Sequence, residues 1–368
     1  MGLLAALKLW DFSLNVDAQN MPYIYPASSV IPYSSQYYGV TRANAMSVPA
    51  VARCRDTLAN TVGALPINLW DSRGNKLAKY GWMDQPDTNM PKSTTMAWLA
   101  DSIFFYGVGY LQVTATYADD NRPMRFTWID PNRVDYSTST NGTIVTQYRV
   151  DAAPVPDSGV GSLVTFTATE EGVLNRAGRT ISTAIALEDA AYNMAKEPAP
   201  MVVLKNTGYD LTSDQITELL ANWKTARQAR STSYLGGNID ATPFGFDPQK
   251  MQLTEARNYM ATEICRLCNM PAWVADAPTG DSMTYSNVVD RRRDLVASFR
   301  GVVSTIEDRL SMPDITPQGT FVRFDFDEFL RESATERADI LTKLLTAGII
   351  TVDEARAREG MAPTGSTA

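Results

Sequence analysis

The stretch from Phe321 to Pro363 constrains this chain most, because it packs a strand, a stop and two helices together without filler. It begins as Phe321-Val-Arg-Phe-Asp-Phe-Asp-Glu-Phe-Leu-Arg331, alternating apolar and charged side chains with the period of two that a half-buried strand requires. Ser333 with Glu336, and Thr351 with Glu354, have the spacing of capping boxes, in which a hydroxyl and a carboxylate satisfy amide donors left over at a helix start. Gly348 follows Leu344 and Leu345 where a helix-ending residue takes the left-handed conformation. A strand that returns late, followed by a helix pair, excludes simple alternation of strands and helices.

The upstream pattern agrees. Residues 1–40 are rich in Pro, Tyr and Ser and read as an extended arm ordered against a neighbour. A helix follows Ser47, with Val51, Cys54, Leu58 and Val62 on one face, and ends at Gly63 and Pro66. A strand is expected over 66–70 with a turn at 72–75, then a helix after Ser93 bearing Met96, Leu99, Ile103 and Tyr106, stopped by Gly107. Antiparallel strands are expected over 110–117, 124–129, 133–138 and 143–150. The middle is helical. Ile181, Ala184, Ile185, Ala191 and Met194 form a stripe that Pro198 terminates. A short strand over 201–204, a helix capped by Thr212 and Gln215, and a strand over 234–237 make a compact insert. A helix over 249–269 follows, then a loop over 271–286. One long helix over 287–311 is expected next, with Val288, Leu295, Phe299, Val302, Ile306 and Leu310 on one stripe. The fold class is therefore α+β.

Several function classes fall away. The 368 residues contain no histidine, which removes Ser-His-Asp and Cys-His nucleophile systems and imidazole-dependent zinc sites. No G-x-x-x-x-G-K-[ST] phosphate loop is present. Gly107 and Gly109 read as a helix stop and a strand start rather than as a dinucleotide fingerprint. Cys54, Cys265 and Cys268 are too few for a disulfide framework and suit a reducing cytoplasm; Cys265 and Cys268 read as buried structural thiols. No apolar run reaches the roughly 18 residues needed to span a bilayer, and the first ten residues lack the cleavage site of a secretory signal. The net charge of −8 argues against a protein built to grip phosphates, since that needs clustered Lys and Arg.

The C-terminal segment resembles the signature of tailed-phage portal proteins. The residues that carry it are Phe324-Asp-Phe-Asp327, Leu330-Arg331, Arg337, Ala347-Gly-Ile349, Thr351, Glu354-Ala-Arg356, Glu359-Gly360 and Pro363, with Asp353 where the family usually has Asn. Further similarities run in order along the chain: 65–74, 107–113, 130–134, 269–273 and Thr284-Tyr-Ser-Asn287. The resemblance implies a portal fold. The N-terminal arm (1–40) is followed by an α/β wing (41–180), stem helix 1 (181–198), a small αβ clip (199–248) and stem helix 2 (249–270). A tunnel loop and tunnel helix (271–311), a wing return strand (312–332) and a short helical crown (333–368) complete it.

It further implies a ring, a dodecamer, at one capsid vertex of the virion, assembled in the host bacterial cytoplasm, through which double-stranded DNA enters and leaves. The expected partners are the terminase large subunit, the major capsid protein and head-completion adaptor or tail proteins, with no membrane and no cofactor. The tunnel-loop residues would be Thr279, Gly280, Asp281, Ser282, Met283, Thr284 and Tyr285. Arg291, Arg292 and Arg293, the one tight basic cluster, would contact DNA phosphates or a neighbouring subunit through residues such as Glu307 or Asp308. Ile185, Met194, Met260, Ile264 and Leu267 would pack the stem. No catalytic or metal residue is expected. The alternative is a metal-dependent hydrolase or transferase built on Asp325 and Asp327, two carboxylates spaced to share a cation.

Overall fold

The computed structural model describes residues 39–138, 145–196, 202–206, 208, 211–228, 239–243, 253–277, 288–327, 329–330 and 334–362. These form two compact units, one holding residues 58–170 and 288–362, the other 39–57 and 171–277.

The first unit is organised around helix Lys92–Tyr106, which carries apolar or small side chains on nearly every face and is accordingly enclosed. Met96, Leu99, Ile103, Phe104 and Phe105 are all buried. Gly107 ends this helix at φ 72, its N–H donating to the Ile103 carbonyl at 2.9 Å, and the chain reverses directly into strand Val108–Thr116. A Cβ on Gly109 would lie 2.7 Å from Leu99 Cδ1, so the absence of a side chain lets strand and helix touch. Strand Val108–Thr116 is the centre of an antiparallel sheet between Pro123–Ile129 and Leu163–Thr167. Trp82 stands edge-on to Phe126 behind it, ring centroids 5.6 Å apart.

A second sheet pairs Ile67–Asp71 with both Lys76–Leu77 and the late strand Thr320–Phe324, with Ile67 opposite Phe324 and Leu69 opposite Val322. The late strand thus closes a sheet begun some 250 residues earlier, as its alternation requires. A third sheet holds Val134–Thr138, Val145–Val150 and Ala153–Pro154. Helix Arg300–Leu310 lies against strands Leu163–Thr167 and Thr320–Phe324 and against helix Lys92–Tyr106, burying Val303, Ile306 and Leu310.

Three expectations need correction in this unit. The strand Leu163–Thr167 was not foreseen, although its β-branched run after Gly159 and Gly161 is a strand signal. The late strand ends at Phe324, earlier than its alternation suggests: its partner strand begins at Ile67 after Pro66, which has no N–H to extend the ladder, and the Asp325 N–H makes the last bond, to the Pro66 carbonyl at 2.8 Å. The long helix over 287–311 is two helices, Val288–Ser298 and Arg300–Leu310, interrupted at Phe299 (φ −103, ψ 14). The buried stripe runs on through the break as Leu295, Phe299, Val303, Ile306 and Leu310, with Val303 rather than Val302 inward.

The C-terminal pair comprises helices Ala334–Thr346 and Val352–Arg358. Gly348 sits at φ 68, its N–H donating to the Leu345 carbonyl while the Ile349 N–H donates to Leu344, the two bonds of a Schellman end. Thr351 and Glu354 form both halves of a capping box. Arg337 grips the Glu359 carboxylate through two nitrogens, at 3.0 and 3.1 Å. The box expected at Ser333 lies outside the described residues.

In the second unit, helices Gly178–Lys196 and Leu253–Leu267 pack together. Strands Val202–Asn206 and Ile239–Pro243 pair antiparallel, Asn206 opposite Ile239. The strand expected at 234–237 lies outside the described residues, and the chain pairs five residues later. Helix Ser213–Gln228 begins where expected, the Thr212 N–H donating to Gln215 Oε1 at 3.1 Å. Helix Leu253–Leu267 ends at Asn269 in the left-handed region (φ 54), before Pro271 and the short 3-10 turn Ala272–Ala275.

Candidate functional site

The helix pair Gly178–Lys196 and Leu253–Leu267 is built on small and apolar positions. Ile181, Ala184 and Ile264 are buried, Ile264 at 1% exposure, while Ile185, Met260 and Leu267 are half-buried. The side chain of Met194 lies outside the described residues. The seam is finished by an ion pair that sequence reasoning missed: Arg257 donates from Nε to Glu188 Oε1 and from Nη2 to Glu188 Oε2, both at 2.9 Å. The signal for it, one carboxylate and one guanidinium on separate helices, is non-local and invisible to helical spacing.

Behind the seam sits a thiol cluster. Cys54, Cys265 and Cys268 are all buried, with Cys54 Sγ 4.0 Å from Cys265 Sγ. Contact with Cys265 pulls Cys54 down, but contact with Cys268 and burial overcome it and drive the thiol far up; Cys54 contact and burial likewise raise Cys265. Cys54 and Cys265 are therefore neutral thiols at neutral pH, with little thiolate to react. Next to Cys54, the Arg53 Nε donates to the Val274 carbonyl at 3.1 Å and holds the 3-10 turn.

Two tyrosines of the helix pair face outward: Tyr192 is 66% exposed and Tyr259 62%. On helix Ser213–Gln228 the apolar pair Ile216 and Leu220, one turn apart, is 45% and 54% exposed. These side chains have no cover within the described chain that would explain their chemistry.

In the first unit, the expected tunnel loop, Thr279 through Tyr285, lies outside the described residues. Of the basic cluster that follows, Arg291 and Arg292 are half-buried and Arg293 is exposed. Arg292 is engaged internally, donating from Nη1 to the Phe329 carbonyl at 3.2 Å with its guanidinium 6.0 Å over the Phe329 ring. Glu307 and Asp308, expected as intersubunit partners for these arginines, both engage Arg323 of the same chain, at 3.7 and 3.3 Å. Burial pushes the Glu307 carboxyl above its usual range, against the opposing pull of the Phe324 N–H, which donates to it at 2.7 Å, and of Arg323.

Asp325 and Asp327 do not form a cation site. Asp325 accepts the Asp327 N–H at 3.0 Å on one oxygen and Asn68 Nδ2 at 2.8 Å on the other, so its carboxylate is consumed by a turn and by the buried Asn68. Among the described residues, no group of three or more Cys, Asp or Glu side chains is arranged to hold a metal ion. None of the described helices is long and apolar enough to cross a membrane. Among the described residues, what stands out is the exposed apolar side chains of the helix pair and the insert.

Comparison with known proteins agrees. A family model described as "Phage portal protein" matches residues 49–360. A "Probable portal protein" of Streptomyces phage phiC31 is 22% identical over 360 residues, covering 88% of this chain and 77% of that protein. Among solved structures, the fold is similar to an HK97 family phage portal protein from Corynebacterium diphtheriae. That match has a TM-score of 0.65 at 24% identity and covers 80% of this chain and 98% of that one. It is also similar to a chain in the neck of a native gene transfer agent particle computed with C12 symmetry. There the TM-score is 0.55 at 18% identity, covering 93% of this chain and 96% of that one.

Proposed function

Because the chain belongs to the phage portal protein family, a structural component of the phage head rather than an enzyme, we propose that twelve copies close into a ring at one vertex of the capsid. Double-stranded DNA passes through that ring during packaging and ejection. The observation that carries this reading is the outward apolar surface on the helix pair and insert, Tyr192, Tyr259, Ile216 and Leu220, in a chain whose family match spans nearly all of it. The likeness to a neck chain in a particle computed with C12 symmetry supports the number twelve.

The helices Gly178–Lys196 and Leu253–Leu267 are the stem, the insert between them is the clip, and the helical pair after Ala334 is the crown. The clip presents to the terminase large subunit during packaging and later to head-completion adaptor and tail proteins; the major capsid protein surrounds the ring. Assembly takes place in the host bacterial cytoplasm and the finished ring resides in the virion.

The charge balance has a mechanical meaning. Duplex DNA carries one negative charge per about 1.7 Å, and several phosphate contacts would hold it with steeply salt-dependent affinity. Each copy has a net charge of −8, so a ring of them repels the duplex from its wall and lets it slide. Contact with the passing DNA falls to Thr279 through Tyr285, with Arg291 and Arg293 acting near it at the backbone level, without reading sequence.

Ring formation is tested by Tyr192→Asp and Tyr259→Asp, which charge exposed positions and should leave melting unchanged. Negative-stain images and mass photometry should then show rings in the parent and monomers in the variants. Variants that form normal rings would reject the stem assignment. Deleting residues 279–283 should keep rings intact and impair packaging; unimpaired packaging would reject the tunnel-loop role.

A further inference from the structure

The thiol cluster is used by nothing in the reading above, yet it is placed with care. Cys54 and Cys265 come from segments 211 residues apart, and their sulfurs stand 4.0 Å from each other. A disulfide needs a sulfur separation of about 2.05 Å, so rotation of the two side chains about their Cα–Cβ bonds has to close the gap. The flanking backbone is already fixed by Arg53 on the Val274 carbonyl. We propose that Cys54 and Cys265 are a latent oxidative crosslink, which a peroxide closes into a disulfide that ties helix Pro49–Ala64 to the end of helix Leu253–Leu267.

The chemistry balances with hydrogen peroxide as the oxidant. One sulfur attacks a peroxide oxygen, the O–O bond breaks, and a sulfenic acid and water form. The second sulfur attacks the first, the S–O bond breaks, the hydroxide leaves with the second thiol's proton as water, and the S–S bond forms. Two thiols and one peroxide become one disulfide and two waters, with two electrons passing from sulfur to oxygen. The scarcity of thiolate in this buried cluster makes the reaction slow, so assembly in a reducing compartment proceeds with free thiols. The bond then belongs to the released particle, where it stiffens a shaft that no longer needs to adapt. That timing rests on the virion reading; the crosslink does not.

The test uses full-length protein purified under reduction, then held in millimolar peroxide, denatured and alkylated. Cleavage after Arg266 separates Cys265 from Cys268 in the peptide map. The expected result is a Cys54–Cys265 linked peptide pair two hydrogens lighter than its reduced parts, with Cys268 alkylated. A dithiothreitol-reversible rise in Tm of several degrees should accompany it, faster to develop at alkaline pH. Cys265→Ser should lose the link and the rise, whereas Cys268→Ser should keep both. Three alkylated cysteines in the wild-type protein, or a link that requires Cys268, would overturn the proposal. Mapping the same thiols in released particles tests the timing separately: free thiols there, beside a crosslink in vitro, would remove the timing alone.

Discussion

The two units solve the burial problem differently. Of the largest fully buried side chains, Trp82, Phe105, Phe126, Phe166, Phe299, Leu58, Ile67, Met83, Met96, Leu99 and Leu111 belong to the first unit and Ile181 to the second, where Ile264 is buried as well. Both units leave apolar side chains exposed: Tyr192, Tyr259, Ile216 and Leu220 in the second, and Val160, Phe321, Ile349 and Val352 among others in the first. The difference lies in the core: the first unit is self-sufficient in buried aromatic bulk, whereas the second is held by small and aliphatic positions such as Ala184, Ile181, Ile264 and Val51.

Four experiments test this difference. The largest effect is expected from Phe299→Ala in the self-sufficient unit. Removing a fully buried aromatic costs about 3–5 kcal/mol, and the drop in Tm should be independent of protein concentration. A concentration-dependent loss would mean that this core too is shared between copies. Next, Ile216→Ser with Leu220→Ser should change the monomer by about 0.5 kcal/mol or less, because both positions are exposed. Ring yield in mass photometry should nevertheless fall. A large drop in monomer Tm with normal rings would reverse the assignment of that face.

Third, Glu188→Gln removes one partner of a pair that is about half exposed on both sides, so screening limits its value to about 0.5 kcal/mol. The wild-type and variant melts should converge as salt is raised. The smallest effect concerns Glu354, whose carboxyl is held below the usual range by the Thr351 N–H and then by the Thr351 hydroxyl. A depressed folded-state value means its contribution is present above the unfolded value of about 4.3 and is lost as pH falls through the folded one. Helicity of Val352–Arg358 should therefore weaken in acid below about pH 4.3, and Thr351→Ala should flatten that dependence.

What the sequence made legible was local. Gly107 and Gly348 end helices because their backbones take positive φ, and Thr351 with Glu354 caps a helix at a spacing of three; each depends on residues a few positions apart. The strand return at Val322 and Phe324 was visible in its period, but its stop after Phe324 was set by Pro66 at the start of the partner strand, distant in sequence. The same limit hid the Glu188 and Arg257 pair, and the approach of Cys54 to Cys265. Val303 rather than Val302 is buried, four positions past the irregular residue Phe299; spacings of three and four both fit one helical face, so periodicity alone does not choose between them.

That irregular residue, Phe299, combines an anchored ring with a bent backbone. The segment before it, Val288–Ser298, is about 16 Å long at 1.5 Å per residue, so a swing of about 10° around Phe299 carries Val288 some 3 Å. Phe299 and Leu295 are both buried, so the bend sits inside the core, and its angle alone sets where the far end at Val288 emerges.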